Sequence, residues 1–92
     1  MSTPILMHVK IISPQQLILE TEAVSVSSKN LEGKFDILPQ HTNFITVVEN
    51  SPIVVKVPHQ KDAVFNFPMA IIAVTENKVS IYTYIQPELE KK

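Results

Sequence analysis

A chain of 92 residues buries only about 60–65% of its unfolded surface around a single core, which excludes two independent domains. With 45% apolar and 18% charged residues, it has the material for a core and too little charge to stay disordered. The net charge is −1, arginine is absent and the eight lysines are scattered. Nothing therefore supplies the clustered cationic face that a phosphate backbone requires, which argues against nucleic acid as a partner. Zero cysteines exclude disulfides, thiol nucleophiles and thiolate metal sites, and suit a reducing cytoplasm. Apolar runs such as residues 69–74 fall far short of the ~18–20 needed to span a bilayer. The opening "MSTPILMHVK" has neither the basic start and apolar stretch of a secretory signal nor the arginines of a transit peptide.

In chain order, "LMHVKII" at 6–12 puts Met7, Val9 and Ile11 on one face and His8 and Lys10 on the other, the two-residue period of a half-buried strand. "SPQQ" at 13–16 is turn chemistry, and "LILETEAVSVS" at 17–27 is again a strand, with Val24 and Val26 alternating with Ser25 and Ser27. The polar, glycine-broken "SKNLEGK" at 28–34 reads as a loop. "NFITVVE" at 43–49 is a β-branched run turned by "NSP" at 50–52. "IVVKV" at 53–57 is closed by Pro58, and "HQKD" at 59–62 leads into "AVFNF" at 63–67. "MAIIAVT" at 69–75 and "KVSIYTYI" at 78–85 are joined by Glu76 and Asn77, a connection of hairpin length. In the last run Val79, Ile81, Thr83 and Ile85 share one side, and Ser80, Tyr82 and Tyr84 the other. These segments predict an all-β protein, a two-sheet antiparallel sandwich of about eight to ten short strands. Only "PELEKK" at 87–92 could start a helix, and it is too short to hold, so the sandwich is expected over residues 1–86 with a frayed, charged tail at 87–92.

Catalytic chemistry finds little support. His8, His41 and His59 fall on a strand, a loop and a turn, without i, i+2 or i, i+4 spacing, so no metal site is expected. The acidic residues sit mostly at turns and strand ends, where solvated surface is the better reading. No serine lies in a strand-turn-helix elbow, and one glycine cannot build a phosphate cradle, so no catalytic residue and no cofactor are expected.

The stretch "GKFDILPQHTNF" at 33–44 stands out. Gly33 takes a positive φ freely and precedes Phe35, Ile37 and Leu38, which are expected to enter the core. Pro39 fixes its own φ and pushes Leu38 toward extended geometry, so the chain bends sharply with His41 beyond the bend. His41 has two readings: a ring that hydrogen-bonds the bent backbone and holds the loop, which is preferred because partly buried polar groups find local partners, or a surface contact.

"EGKFDILPQHTNFITVV" at 32–48, preceded by "VKIISPQQLILETEAVSVSS" at 9–28 and followed by "MAIIAVTENKVSIYT" at 69–83, resembles the amino-terminal β-sandwich of the epsilon subunit of F-type ATP synthase. The specific piece is Glu-Gly-x-aromatic-x-Ile-Leu-Pro-x-His. The opening strand with its Ser-Pro and the closing hairpin with asparagine at its turn add register. Two departures stand out: Gln40 replaces the usual glycine between the proline and the histidine, and "FPMAII" at 67–72 replaces a Ser-Gly-Gly-aromatic run. Most members continue into a pair of carboxy-terminal helices, so on the resemblance this chain is either a short form that keeps only the sandwich or a trimmed piece of a longer protein.

The resemblance implies a non-catalytic coupling piece of the central stalk. It would bind the gamma subunit and rest on the ring of c subunits, peripheral on the inner, cytoplasmic face of the cell membrane as part of the complex. It places Glu32, Gly33, Lys34 and Asp36, joined by His41, toward the c-ring. Apolar side chains beyond the core alternation, Val54, Tyr82 and Tyr84, are candidates for the gamma contact, or else merely cover the second sheet face. Two alternatives remain: a free-standing sandwich that binds a sugar, peptide or protein, and a small hydrolase using His41 with Asp36.

Overall fold

The computed structural model describes residues 5–84. The expected tail at 87–92, and Ile85 of the expected last strand, lie outside the described residues. Seven strands follow one another: β1 Met7–Ile12, β2 Leu17–Ala23, β3 Ser25–Asn30, β4 Gly33–Ile37, β5 Phe44–Lys56, β6 Ala63–Thr75 and β7 Lys78–Thr83. They form one hydrogen-bonded series in the order β2-β1-β7-β6-β5-β3-β4. Every neighbouring pair is antiparallel except β1 and β7, which run parallel with Val9 opposite Val79 and Ile11 opposite Ile81. The all-β sandwich stands. Its detail differs: the two layers are one continuous mixed sheet bent over itself, and the strands are fewer and longer than expected.

The bend is written in the alternation. Along β5, Val48 is buried at an even position, whereas beyond the corner Ile53 and Val55 are buried at odd ones. Along β6, Phe67 is buried at an odd position and Ala70, Ile72 and Val74 at even ones. The change of phase falls where two successive residues are exposed, Glu49 with Asn50 and Pro68 with Met69. Asn50, at φ 52, leaves the extended region there, so one residue out of step swaps which face looks inward. "NSP" and the Phe67-Pro68 junction are therefore corners within 13-residue strands rather than turns between separate ones, because the paired strands bend together with their register intact on both sides.

The same change occurs between β2, which buries Ala23, and β3, which buries Val26 and Ser28. The intervening Val24 donates its N–H to the Lys56 carbonyl at 2.9 Å. A single residue thus carries the chain from the outermost strand of one layer to the neighbour of β5 in the other. The core between the layers gathers residues from all seven strands, among them Met7, Val26, Ile37, Ile53, Ile72 and Ile81. Two buried hydroxyls serve the corners: Ser28 Oγ donates to the Pro52 carbonyl at 2.9 Å and Thr83 Oγ1 to the Met69 carbonyl at 3.1 Å. Carbonyls that the ladder loses at a corner regain a partner in this way.

Two local expectations are corrected. Residues 28–34 are a tight hairpin rather than a loop, with Asn30 paired to Gly33 across Leu31 and Glu32. Leu38 remains 54% exposed while Ile37 is fully buried, because alternation lets only one of two successive residues face the core. The β6–β7 connection is as read: Glu76 and Asn77 take φ 49 and 63, the two positive values of the hairpin turn whose twist matches its strands.

Asn50 tests the corner. Replacing it by valine should cost about 1–2 kcal/mol, since a β-branched side chain resists the left-handed region, whereas glycine should be neutral or slightly stabilising. Urea denaturation of the two variants would show separate midpoints; coincident midpoints would remove the corner's dependence on φ at residue 50.

Candidate partner interface

The bend after β4 is a four-residue turn over residues 38–41. Pro39 occupies its second position, Gln40 its third at φ 67, and the His41 N–H donates to the Leu38 carbonyl at 3.1 Å. Proline followed by a positive φ is the signature of a type II turn, whose third position favours glycine. Gln40 therefore stands at a site where an ordinary side chain costs about 1 kcal/mol. The same design recurs at residues 57–60, with Pro58, His59 at φ 61 and a Gln60 N–H to Val57 carbonyl bond of 3.3 Å.

His41 holds the bend. Its Nδ1 lies 2.7 Å from the Thr42 carbonyl, so that nitrogen carries the proton and donates. The ring meets Phe44 edge-on at 5.4 Å, and Phe44 meets Phe35 at 5.6 Å. This column ties the bend to β4 across the start of β5. On the other side of the column, Asn30 closes the β3–β4 hairpin: its Oδ1 accepts the Glu32 N–H at 2.8 Å and its Nδ2 donates to Thr46 Oγ1 at 3.0 Å. Gly33 has φ 123, and a Cβ there would meet nothing within 4 Å. Backbone conformation rather than crowding is what calls for glycine at this position.

The five residues expected to face one partner are thus divided. Glu32 and Gly33 form the hairpin tip beside the fully exposed Leu31. Lys34 and Asp36 point outward from β4, and Asp36 Oδ1 accepts the Ser27 hydroxyl at 2.6 Å. His41 lies beyond the Phe35–Phe44 pair. The structure does not bring His41 and Asp36 together, which leaves the hydrolase alternative without its dyad.

A second surface lies on the outer face of the other layer. Tyr82 and Tyr84 join Ile12, Pro14 and Ile71 around an open groove of about 260 Å³. Cross-strand pairing sets Ile71 and Ile12 on either side of Tyr82, with Leu17 and Val47 beyond them. Val54 is not part of it. It is paired with Val64 and Ser27 on the outer side of the layer that contains β3 and β4.

At the edge, β2 is fastened to β1 by His8. Its Nε2 lies 2.7 Å from Glu20 Oε2 and its Nδ1 2.9 Å from Glu22 Oε2. The hydrogen bond to Glu22, then that to Glu20, raises the His8 pKa above its ordinary value. Several contributors to these surfaces were invisible in the sequence. Asn30, Thr46, Gln40 and Asn77 act through side-chain or backbone groups aimed at distant segments. Asn30, Gln40 and Asn77 carried a turn signal, Gln40 also replaces the usual glycine, and Thr46 read only as a strand residue.

The arrangement defines a β-sandwich domain whose distinguishing features lie on its surface, a polar bend and hairpin on one side and an apolar sheet face on another. The chain belongs to the family described as ATP synthase, Delta/Epsilon chain, beta-sandwich domain, which matches residues 6–84. It is 29% identical over 75 residues to an ATP synthase epsilon chain of Campylobacter concisus, covering 82% of this chain and 58% of the relative. The identity to an epsilon chain of Brevibacillus brevis is 24% over 75 residues, covering 82% and 57%. In fold it is similar to a chain in the Euglena gracilis mitochondrial ATP synthase structure of OSCP, F1 and c-ring, with TM-score 0.81, 15% identity, and 91% and 54% of the two chains covered. A chain of the Tetrahymena thermophila mitochondrial ATP synthase central stalk and c-ring gives TM-score 0.73 at 16% identity, covering 86% and 63%. The chain thus spans between half and two-thirds of the length of these relatives.

The His8 clasp predicts a pH dependence. With the folded value above the ordinary 6.5, the imidazolium contributes fully below that pH, and its contribution fades as pH rises through the folded value. Proton NMR should place the His8 midpoint above 6.5, and thermal stability should decline toward pH 8 by an increment absent in His8→Gln. Because the group is 38% exposed, the increment should shrink in high salt. A His8 midpoint below 6.5 would refute the clasp.

Proposed function

We propose that this chain is the sandwich of a central-stalk subunit of a rotary F-type ATP synthase, bound to the gamma subunit and seated on the c-ring. It passes rotation of the ring to the catalytic head and has no reaction of its own. The carrying observation is the family match over residues 6–84, within which the Glu32-to-His41 run folds as a surface hairpin and bend. The names of the relatives and the c-ring complexes among its structural neighbours support the same reading. The chain then works at the inner face of the cell membrane as a peripheral part of the complex, with its domain boundary near residue 86.

The physics suits the role. A bent sheet packed on both sides of one core resists shear through its ladder bonds and close-packed interior, so it transmits torque without flexing. Glu32, Lys34 and Asp36, with His41, face the c-ring. Exposed charges of this kind are worth about 0–1 kcal/mol each, enough to set register rather than affinity. Affinity comes from the apolar face around Tyr82 and Tyr84, which meets gamma.

Co-purification tests the proposal: the tagged chain should retain gamma and c subunits of its own organism. Tyr82→Ala should weaken gamma binding by about 30-fold, the loss of roughly 2 kcal/mol typical of a central aromatic, whereas Lys34→Glu should alter c-ring retention less than about tenfold. Isolation as a lone monomer carrying a small ligand would favour the free-standing binding module instead. Unchanged gamma affinity in Tyr82→Ala would move the gamma contact to another face.

A further inference from the structure

We infer that Asn77 is a positioning residue: its side chain selects the conformation of the 38–41 turn and thereby the way His41 is presented. The partner named for that surface rests on the function proposed above, but the selection itself does not.

Type I and type II turns share proline at the second position and the same closing bond from the fourth residue to the first. They differ by a flip of the central peptide, here the one between Pro39 and Gln40. An ordinary side chain at the third position favours type I, because type II demands a positive φ. Gln40 nevertheless sits at φ 67. The flip reverses the direction of the Gln40 N–H, and in this structure that N–H donates to Asn77 Oδ1, 37 residues away in sequence. The acceptor holds the central peptide in the orientation that glutamine alone disfavours.

Asn77 is itself well anchored. It is the second residue of the β6–β7 turn, at φ 63, a position that asparagine accepts readily. Its carbonyl accepts the His8 N–H at 2.9 Å, which fixes the turn to the start of β1. Gln40, His41, Asn43, Glu76 and Asn77 line one open shelf, so a flip of the 39–40 peptide would rearrange that shelf beside the His41 ring.

Three variants of the intact chain separate this role from plain stabilisation. Asn77→Gly keeps a residue suited to the turn but removes the acceptor. Asn77→Asp keeps the acceptor. Adding Gln40→Gly to Asn77→Gly removes the preference for type I. In Asn77→Gly, NMR should show loss of the close Pro39 Hα to Gln40 N–H contact and about tenfold faster exchange of the Gln40 amide, with a shifted His41 ring and weaker retention of the chain on its own gamma and c-ring complex. Asn77→Asp and the double variant should restore the turn and the retention. Wild-type turn geometry and exchange in Asn77→Gly would overturn the positioning role. A flipped turn with full retention would overturn its link to the partner, and failure of the wild-type chain to bind that complex would sink the functional reading while the turn measurements still decide the role of Asn77.

Discussion

One sheet supplies both layers of this molecule, so a single constraint governs it. Apolar residues must face inward on both sides of the bend, although a strand alternates its faces strictly every residue. Residues 17–30, 44–56 and 63–75 each meet the constraint by stepping once out of phase, at 24–25, 49–50 and 68–69. Without those steps, Ile53, Val55 and Val26 would point to solvent and their polar neighbours would enter the core. Asn50 and Pro68 are tolerable at the corner because the pairing of β5 with β6 skips that one step. Ser28 and Thr83, two of the buried polar residues, are explained by the corner carbonyls they reach.

Sharp turns usually draw on glycine, and this chain has one. Among the described residues, five others occupy the left-handed region: Gln40, Asn50, His59, Glu76 and Asn77. Asparagine tolerates this conformation, but glutamine and glutamate gain nothing from it locally. Their conformations persist because tertiary contacts over-determine them. Gln40 is held by Asn77 and by the proline before it, while Glu76 lies in a two-residue connection whose strand pairing continues to Thr75 and Lys78. Rigidity at this end of the sandwich thus comes from contacts between turns rather than from permissive residues within them.

This division explains what could be read in advance. Strand existence, the β6–β7 hairpin and the inward set of Val79, Ile81 and Thr83 were legible, because period-two alternation and turn chemistry are local. The corner at Asn-Ser-Pro reads locally as a chain reversal and the one at Phe67-Pro68 as a break between segments, since both sequences carry the same local signal whether a strand ends or merely bends; the deciding information is the change of phase across them. At the surface, the bend at 33–41 and the backbone bond of His41 were legible. The separation of Val54 from Tyr82 and Tyr84 was not, because it depends on which layer each half of β5 joins. The Asn77 to Gln40 contact was equally hidden, since no local pattern links residues so far apart.

The two surfaces also differ in what they can contribute energetically. The outward groups of β4 are charged and solvated; Asp36 already accepts the Ser27 hydroxyl, so a partner must compete with water and with an internal bond for little net gain. The face around Tyr82 offers aromatic and aliphatic area from Tyr82, Tyr84, Ile12 and Ile71, where burial brings a free-energy gain proportional to the surface covered. A body proposed to be carried by one neighbour and to touch another needs this asymmetry, strong attachment on one side and register without tight adhesion on the other. On that proposal the polar side need only fix orientation, and the demand falls on the geometry of the bend, where a turn composed against its own conformational preference is braced by a side chain of the β6–β7 turn.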